Sequence, residues 1–143
     1  MKDRILLLAS LASSLVVFRG ALIQALIDQG LEVHVAAPDL LKDPSAEVLR
    51  DKGVILHDIP LRRAGMNPVS DFSSFLAINS LLRTIRPKYF LGYTVKPVIY
   101  GLLAARLAGV SRRFALITGL GYAFTGNAKG KRALAQMLVR SLY

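Results

Sequence analysis

The sequence contains no cysteine and only two histidines among its 143 residues. Without a thiol there is no disulfide framework, no thiolate zinc site and no cysteine nucleophile, which fits a reducing cytoplasm. His34 and His57 stand alone in the chain, so no metal site is expected. Negative charge is missing from the second half. All nine acids lie within residues 1–71, Asp71 being the last, whereas residues 72–143 carry eleven Lys and Arg and no acid. The net charge of +10 therefore belongs to the C-terminal half. Such a half-chain attracts a polyanion: nucleic acid, an anionic membrane or a pyrophosphate-linked substrate. Nucleic acid lacks support, because the bases are not interleaved with aromatics.

Long apolar runs are missing too. The longest uncharged stretch, Ile5–Phe18, has fourteen residues, and a bilayer span needs about 20. It imitates a signal peptide, but Asp3 spoils the positive leader and no small-x-small cleavage site precedes Phe18. It reads instead as a buried first strand, Ile5–Ala9, and its loop. With 53% hydrophobic residues, the chain is too apolar to stay disordered and long enough for one domain with its own core.

What is present is an alternation of strand and helix. A helix is expected over Phe18–Gln29, its apolar face at Phe18, Ala21, Leu22, Ala25 and Leu26, stopped by Gly30. A second strand covers Leu31–Ala37. Asp43-Pro44 caps a short helix ending near Lys52-Gly53, and a third strand runs over Val54–Ile59. After the loop Pro60–Pro68, Ser70 or Asp71 caps a longer helix through Phe72, Phe75, Leu76, Leu81, Leu82 and Ile85, halted at Arg86-Pro87. A fourth strand at Tyr89–Tyr93, a helix at Val95–Leu107 and a fifth strand at Phe114–Thr118 follow. The glycine-rich Gly119–Gly130 and a last helix from about Lys131 complete the pattern. This is an α/β fold: a Rossmann-like open parallel sheet flanked by helices.

Several α/β chemistries lack their residues. The first strand–helix turn, Ser10–Leu15, has no glycine to admit a dinucleotide pyrophosphate. Gly126–Arg132 falls short of a phosphate-loop motif in spacing and in its final residue. No acidic cluster follows the first strand, and no Gly-x-Ser-x-Gly elbow is present. Three rim segments remain. Ser13, Ser14 and Arg19 can hold a phosphate or merely cap a helix. Tyr93, Thr94 and Lys96 put an aromatic, a hydroxyl and an ammonium at a helix start, where Lys96 meets a substrate phosphate. Lys96→Ala is accordingly expected to lower activity without loss of folding. Thr118, Gly119, Gly121 and Tyr122 allow close backbone approach and stacking on a sugar, or form a turn closed by a core Phe. His34 is expected to pack within its strand, and His57 beside Asp58 is less clear.

Phe18–Leu26 and Gly30–Pro38, with Glu32-Val33-His34-Val35, resemble the opening of family 4 glycosyltransferases. Asn67-Pro68, Tyr93–Gly101 and Thr118–Tyr122 in that order are more specific. They resemble the bacterial branch that builds capsular, exopolysaccharide and lipid-linked glycans. The resemblance covers essentially the whole chain. It implies that residues 1–143 are the N-terminal, acceptor-side half of a GT-B fold, lacking a C-terminal donor-binding domain with its Glu-x7-Glu signature. By the same resemblance, the full enzyme moves a sugar, with retention and without a cofactor, from a nucleoside-diphosphate donor to a lipid-pyrophosphate-linked acceptor. This chain alone would be inactive. Ser13, Ser14 and Arg19 would face the donor phosphates; Asn67, Tyr93, Thr94, Lys96, Thr118, Gly119, Gly121 and Tyr122 would face acceptor or sugar. No catalytic base is assigned. The implied place is cytoplasmic, at the inner face of the membrane, with Arg83, Arg86, Arg112, Arg113, Lys129, Lys131 and Arg132 toward anionic lipid. The competing expectation is a non-catalytic, membrane-associated acceptor-binding module serving a separate catalytic chain.

Overall fold

The computed structural model describes residues 1–62 and 65–118. Five parallel strands form one sheet: β1 (Arg4–Leu8), β2 (Glu32–Ala37), β3 (Ile55–Asp58), β4 (Tyr89–Tyr93) and β5 (Arg112–Leu116), in the order β3-β2-β1-β4-β5. Helices α1 (Ser14–Val17), α2 (Gly20–Asp28) and α3 (Ser45–Asp51) alternate with the first strands, and α4 (Pro68–Ile85) and α5 (Val95–Leu107) with the last. The open parallel sheet expected from the alternation is therefore present.

Strand periodicity divides the core. Ile5, Leu7, Val33 and Val35 face one side, where Leu15, Ile23 and Leu49 of α1, α2 and α3 cover them. Leu6, Leu8, Ala36 and Phe90 face the other, beneath Ile78, Leu82 and Ile85 of α4 and Val98, Leu102 and Ala105 of α5. β1 is central and apolar on both faces, which is why its sequence reads as a continuous leucine run.

Two of the expected elements are exact in position, β4 and α5. Others differ for local reasons. Of the expected helix Phe18–Gln29, Gly20–Asp28 is helical as α2, and Phe18-Arg19 separate it from α1, a further short turn of helix ahead of it. Its buried face is centred on Ile23, while Phe18, Ala21 and Ala25 are exposed. The fifth strand lies two residues earlier than expected, at Arg112–Leu116. Neither Ser70 nor Asp71 caps α4. Asn67 does, its Oδ1 accepting from Val69 N (3.1 Å) and Ser70 N (3.2 Å), with Pro68 in the first helical position. That pairing satisfies two otherwise unbonded amides and suits proline's missing N–H. Gly119–Gly130 and the helix expected from Lys131 lie outside the described residues.

Two glycines set the distance between α5 and β4. A Cβ at Gly92 would sit 2.9 Å from the Pro97 carbonyl oxygen. A Cβ at Gly101 would run into Phe90 Cζ and lie 2.9 Å from Leu8 Cδ2. The spacing of Gly92 and Gly101 around Tyr-Thr-Val-Lys-Pro is thus a packing signature: the helix presses its backbone onto the sheet.

Candidate functional site

Strand order reverses between β1 and β4, since the chain leaves β1 toward β2 on one side and reaches β4 and β5 on the other. In an open parallel sheet the crevice beyond the strand ends at such a reversal is where ligands bind. Here the loop after β1 and the loop after β4 meet. Ser10 Oγ and Thr94 Oγ1 are 2.8 Å apart, as are Ser14 Oγ and Tyr93 Oη. Ser14 spends its single proton on the Leu11 carbonyl (2.6 Å), so Tyr93 is the donor to Ser14. Tyr93 is only 2% exposed. Burial pushes its phenol above the ordinary tyrosine range, against weaker opposing effects of Ser14 and Arg19, so it serves as a neutral hydrogen-bonding group.

The Arg19 guanidinium stacks over the Tyr93 ring, 4.8 Å from its centroid. One terminal nitrogen donates to Phe18 O at 3.0 Å, while Nε is enclosed and without a hydrogen-bond partner among the described residues. A buried donor left unbonded is costly and marks a place for an acceptor.

Thr94 carries the strained backbone of the rim, with φ 69° and ψ 166°. That region is essentially restricted to glycine and costs about 1–3 kcal/mol for other residues. Thr94 stands at the N-cap of α5 without capping it; its hydroxyl goes to Ser10 instead. Strain is held where a loop from β1 meets a loop from β4.

Lys96 differs from its expected role. Its ammonium donates to Asp71 Oδ1 at 2.8 Å, and Tyr100 Oη donates to Asp71 Oδ2 at 3.1 Å. Burial and the adjacent carboxylate together push the Tyr100 hydroxyl up to about 12. Lys96 therefore neutralises Asp71 and ties the first turn of α5 to the first turn of α4. Asn67 likewise spends its side-chain oxygen on the α4 amides.

The structure thus gathers Ser14, Arg19, Tyr93 and Thr94 into one cluster and assigns Lys96 and Asn67 to holding α4 and α5. Ser13 precedes α1, its carbonyl accepting from Val16 and Val17. Thr118 is exposed at the end of the described residues, and Gly119, Gly121 and Tyr122 lie outside them. Asp71 and Tyr100 were missed as partners. The available signal was that Asp71 is the last acid before an acid-free half. Beyond the ends of β2 and β3, a groove of about 290 Å³ is lined by Asp39, Leu61, Arg62, Ser70 and Ser73, among others.

The histidines pack away from this rim. His34 is buried, as expected from strand alternation. Its ring stacks on His57 with centroids 5.2 Å apart, and Nδ1 lies 2.9 Å from His57 Nε2. His34 Nε2 donates to Glu32 at 2.8 Å, and Arg4 Nε approaches the same carboxylate oxygen at 3.0 Å. No group of three or more His, Asp or Glu among the described residues is arranged to hold a metal ion.

An open parallel sheet with a strained, hydroxyl-lined crevice at its order reversal defines a Rossmann-like domain, of the kind found in GT-B folds. The fold matches that of MurG from Acinetobacter baumannii, with TM-score 0.65 and 18% identity over 95% of this chain and 38% of that one. It also matches a UDP-N-acetylglucosamine 2-epimerase, with TM-score 0.66 and 12% identity over 99% of this chain and 40% of that one. Sequence separates these possibilities: the chain belongs to the glycosyl transferase 4-like family, whose model matches residues 4–143. A relative from Campylobacter jejuni is 31% identical over 140 residues. Its name is N,N'-diacetylbacillosaminyl-diphospho-undecaprenol alpha-1,3-N-acetylgalactosaminyltransferase. The match covers 98% of this chain and 36% of that protein, so the chain spans about a third of the relative's length.

Proposed function

We propose that this chain is the acceptor-side domain of an enzyme in surface-glycan biosynthesis, of the capsular, exopolysaccharide or lipid-linked kind. It transfers a sugar, with retention, from a nucleoside diphosphate to a lipid-pyrophosphate-linked acceptor. The family match over residues 4–143 carries this reading. The relative's name, with its diphospho-undecaprenol acceptor, supports the acceptor class. The reaction sits at the inner face of the cytoplasmic membrane, needs no cofactor, and takes its donor site from a C-terminal domain.

On this reading the rim supplies positioning and charge. The unbonded Arg19 Nε and the amides entering α2 meet a donor phosphate oxygen, while Ser13 and Ser14 line the approach. Tyr93 fixes the guanidinium plane by stacking, and Thr94 holds the crevice shape. The groove at Arg62 and Ser70, beside Asn67, takes the acceptor. Lys96 acts through Asp71, by fixing the α4 terminus that borders this groove.

The test is transfer of radiolabel from UDP-N-acetylgalactosamine or UDP-N-acetylglucosamine to a polyprenyl-diphosphate sugar. Chain 1–143 would be assayed alone and together with a donor-binding domain. Label entering the organic phase only in the combined sample supports the reading. No transfer with any donor in either sample overturns it.

A further inference from the structure

The groove beyond the ends of β2 and β3 is built from fixed segments. Asp39 follows β2 in the left-handed region, with φ 54° and ψ 24°, a conformation that aspartate and asparagine tolerate and most side chains avoid. The turn after it is tied down, since Leu41 N donates to Asp58 Oδ1, at the end of β3, over 2.8 Å. On the other wall Ile59 N donates to Ala37 O at 3.3 Å, and the Ser74 hydroxyl holds the Pro60 carbonyl. Ile59 and Leu61, each 5% exposed, are the apolar part of this wall. Helix α4 turns Phe72 and Leu76 outward, at 62% and 48% exposure, and presents Ser70 and Ser73 to the groove.

Most acids of the chain are engaged elsewhere. Asp3, Asp28, Glu32, Asp43, Asp58 and Asp71 each hold a hydrogen bond or an ion pair. Glu47 and Asp51 stand on α3, outside the groove. Asp39 is the acid within it, and its carboxylate has no partner among the described residues. Arg62 lines the same groove, and no ion pair joins the two. Opposite charges that share a groove without closing on each other are both left for one ligand.

A carboxylate only accepts hydrogen bonds and a guanidinium only donates them. The ligand must therefore combine donors with an anion, and offer an apolar side to Ile59 and Leu61. A bare polyphosphate is repelled by Asp39, and a neutral sugar leaves Arg62 unused. A glycosyl phosphate brings hydroxyls, an anion and the C–H face of its ring in one unit. At about 290 Å³ the groove has the size of the smallest ligand pockets, which suits a single sugar.

We propose that Asp39 recognises the sugar of the acceptor: its carboxylate accepts from hydroxyls of the sugar whose phosphate meets Arg62. The inference rests on the acceptor reading above and deepens it. It names the group that separates a sugar-bearing pyrophosphate from a bare one.

Asp39→Asn removes the charge and keeps both the side-chain shape and the left-handed backbone. In the combined transfer assay above, it should raise the KM for the polyprenyl-diphosphate sugar about tenfold. The donor KM and the circular dichroism spectrum should not change. Asp51→Asn, the same charge change on the exposed surface of α3, should leave both KM values at those of the parent. Inhibition by inorganic pyrophosphate gives a second readout of opposite sign. With a negative charge gone from beside Arg62, pyrophosphate should inhibit Asp39→Asn as strongly as the parent or more so. An unchanged acceptor KM in Asp39→Asn overturns the proposal. Tighter binding of both acceptor and pyrophosphate also overturns it, since the groove would then read charge alone. If the parent transfers sugar to no acceptor, the acceptor reading itself falls and this inference with it.

Discussion

The Lys96 ammonium and the Asp71 carboxylate form an ion pair of 2.8 Å with side chains only 9% and 7% exposed. Breaking such a pair on one side leaves an uncompensated buried charge and costs about 3–5 kcal/mol. Asp71→Asn or Lys96→Met should therefore lower the urea midpoint strongly, with loss of the Tyr100 contact adding to the first. The double variant Asp71→Leu/Lys96→Met should recover most of that loss. Equal stability of the single variants and the parent would show that the pair is not closed in solution. The expectation that Lys96→Ala leaves folding intact is replaced by this one.

Thr94 reverses the usual order of alanine and glycine. Both substitutions remove the hydroxyl from Ser10, so their difference isolates the backbone. At φ 69°, Thr94→Gly should exceed Thr94→Ala in stability by about 1–3 kcal/mol. Thermal melts of the two variants decide it, and the ordinary alanine advantage would contradict the strain.

Gly101→Ala tests the approach of α5 to β4. The added methyl meets Phe90 and Leu8 in the packed core, and overpacking of this kind costs about 1–3 kcal/mol. Adding Phe90→Leu should return part of it. A silent Gly101→Ala would mean that the helix can lift off the sheet at no cost.

His57 introduces a pH dependence. Burial, and secondly the proximity of His34, hold its pKa below the ordinary histidine value. The unfolded chain therefore binds this proton more readily than the folded one. The contribution is present above the ordinary histidine value of 6.5 and is lost as pH falls through the lower folded value. Urea midpoints should decline over that window on the acid side. His57→Gln, which keeps a side-chain donor for His34, should flatten the decline.

Much of the fold was legible because parallel strands buried on both faces leave unbroken apolar runs, as in Ile5–Ala9 and Tyr89–Tyr93. The ends of α5 were legible from the loop residues before it and from Gly109. Legibility failed where a residue type serves two purposes. Asn67-Pro68 read as a binding motif, yet its physical work includes capping α4. Phe72 and Leu76 fitted a helical face, but hydrophobicity does not say which of two faces is buried. The rim cluster was only half visible. Tyr93, Thr94 and Ser14 stood out by their position after strands, whereas their pairing across the crevice depends on β1 and β4 being neighbours. Asp71 was hidden because nothing local links it to Lys96.

The hydroxyl contacts between the two rim loops join residues 79 and 84 positions apart in sequence. They exist only once β4 has docked beside β1. During synthesis β1 is made first, and one of its edges stays open until some ninety residues have left the ribosome. Over that interval the leucines at positions 6–8 present an unpaired apolar edge, the kind of surface that aggregates or recruits a chaperone. The order in which the chain emerges thus makes arrival of β4 both the event that protects the nascent polypeptide and the event that creates the crevice between the two rim loops.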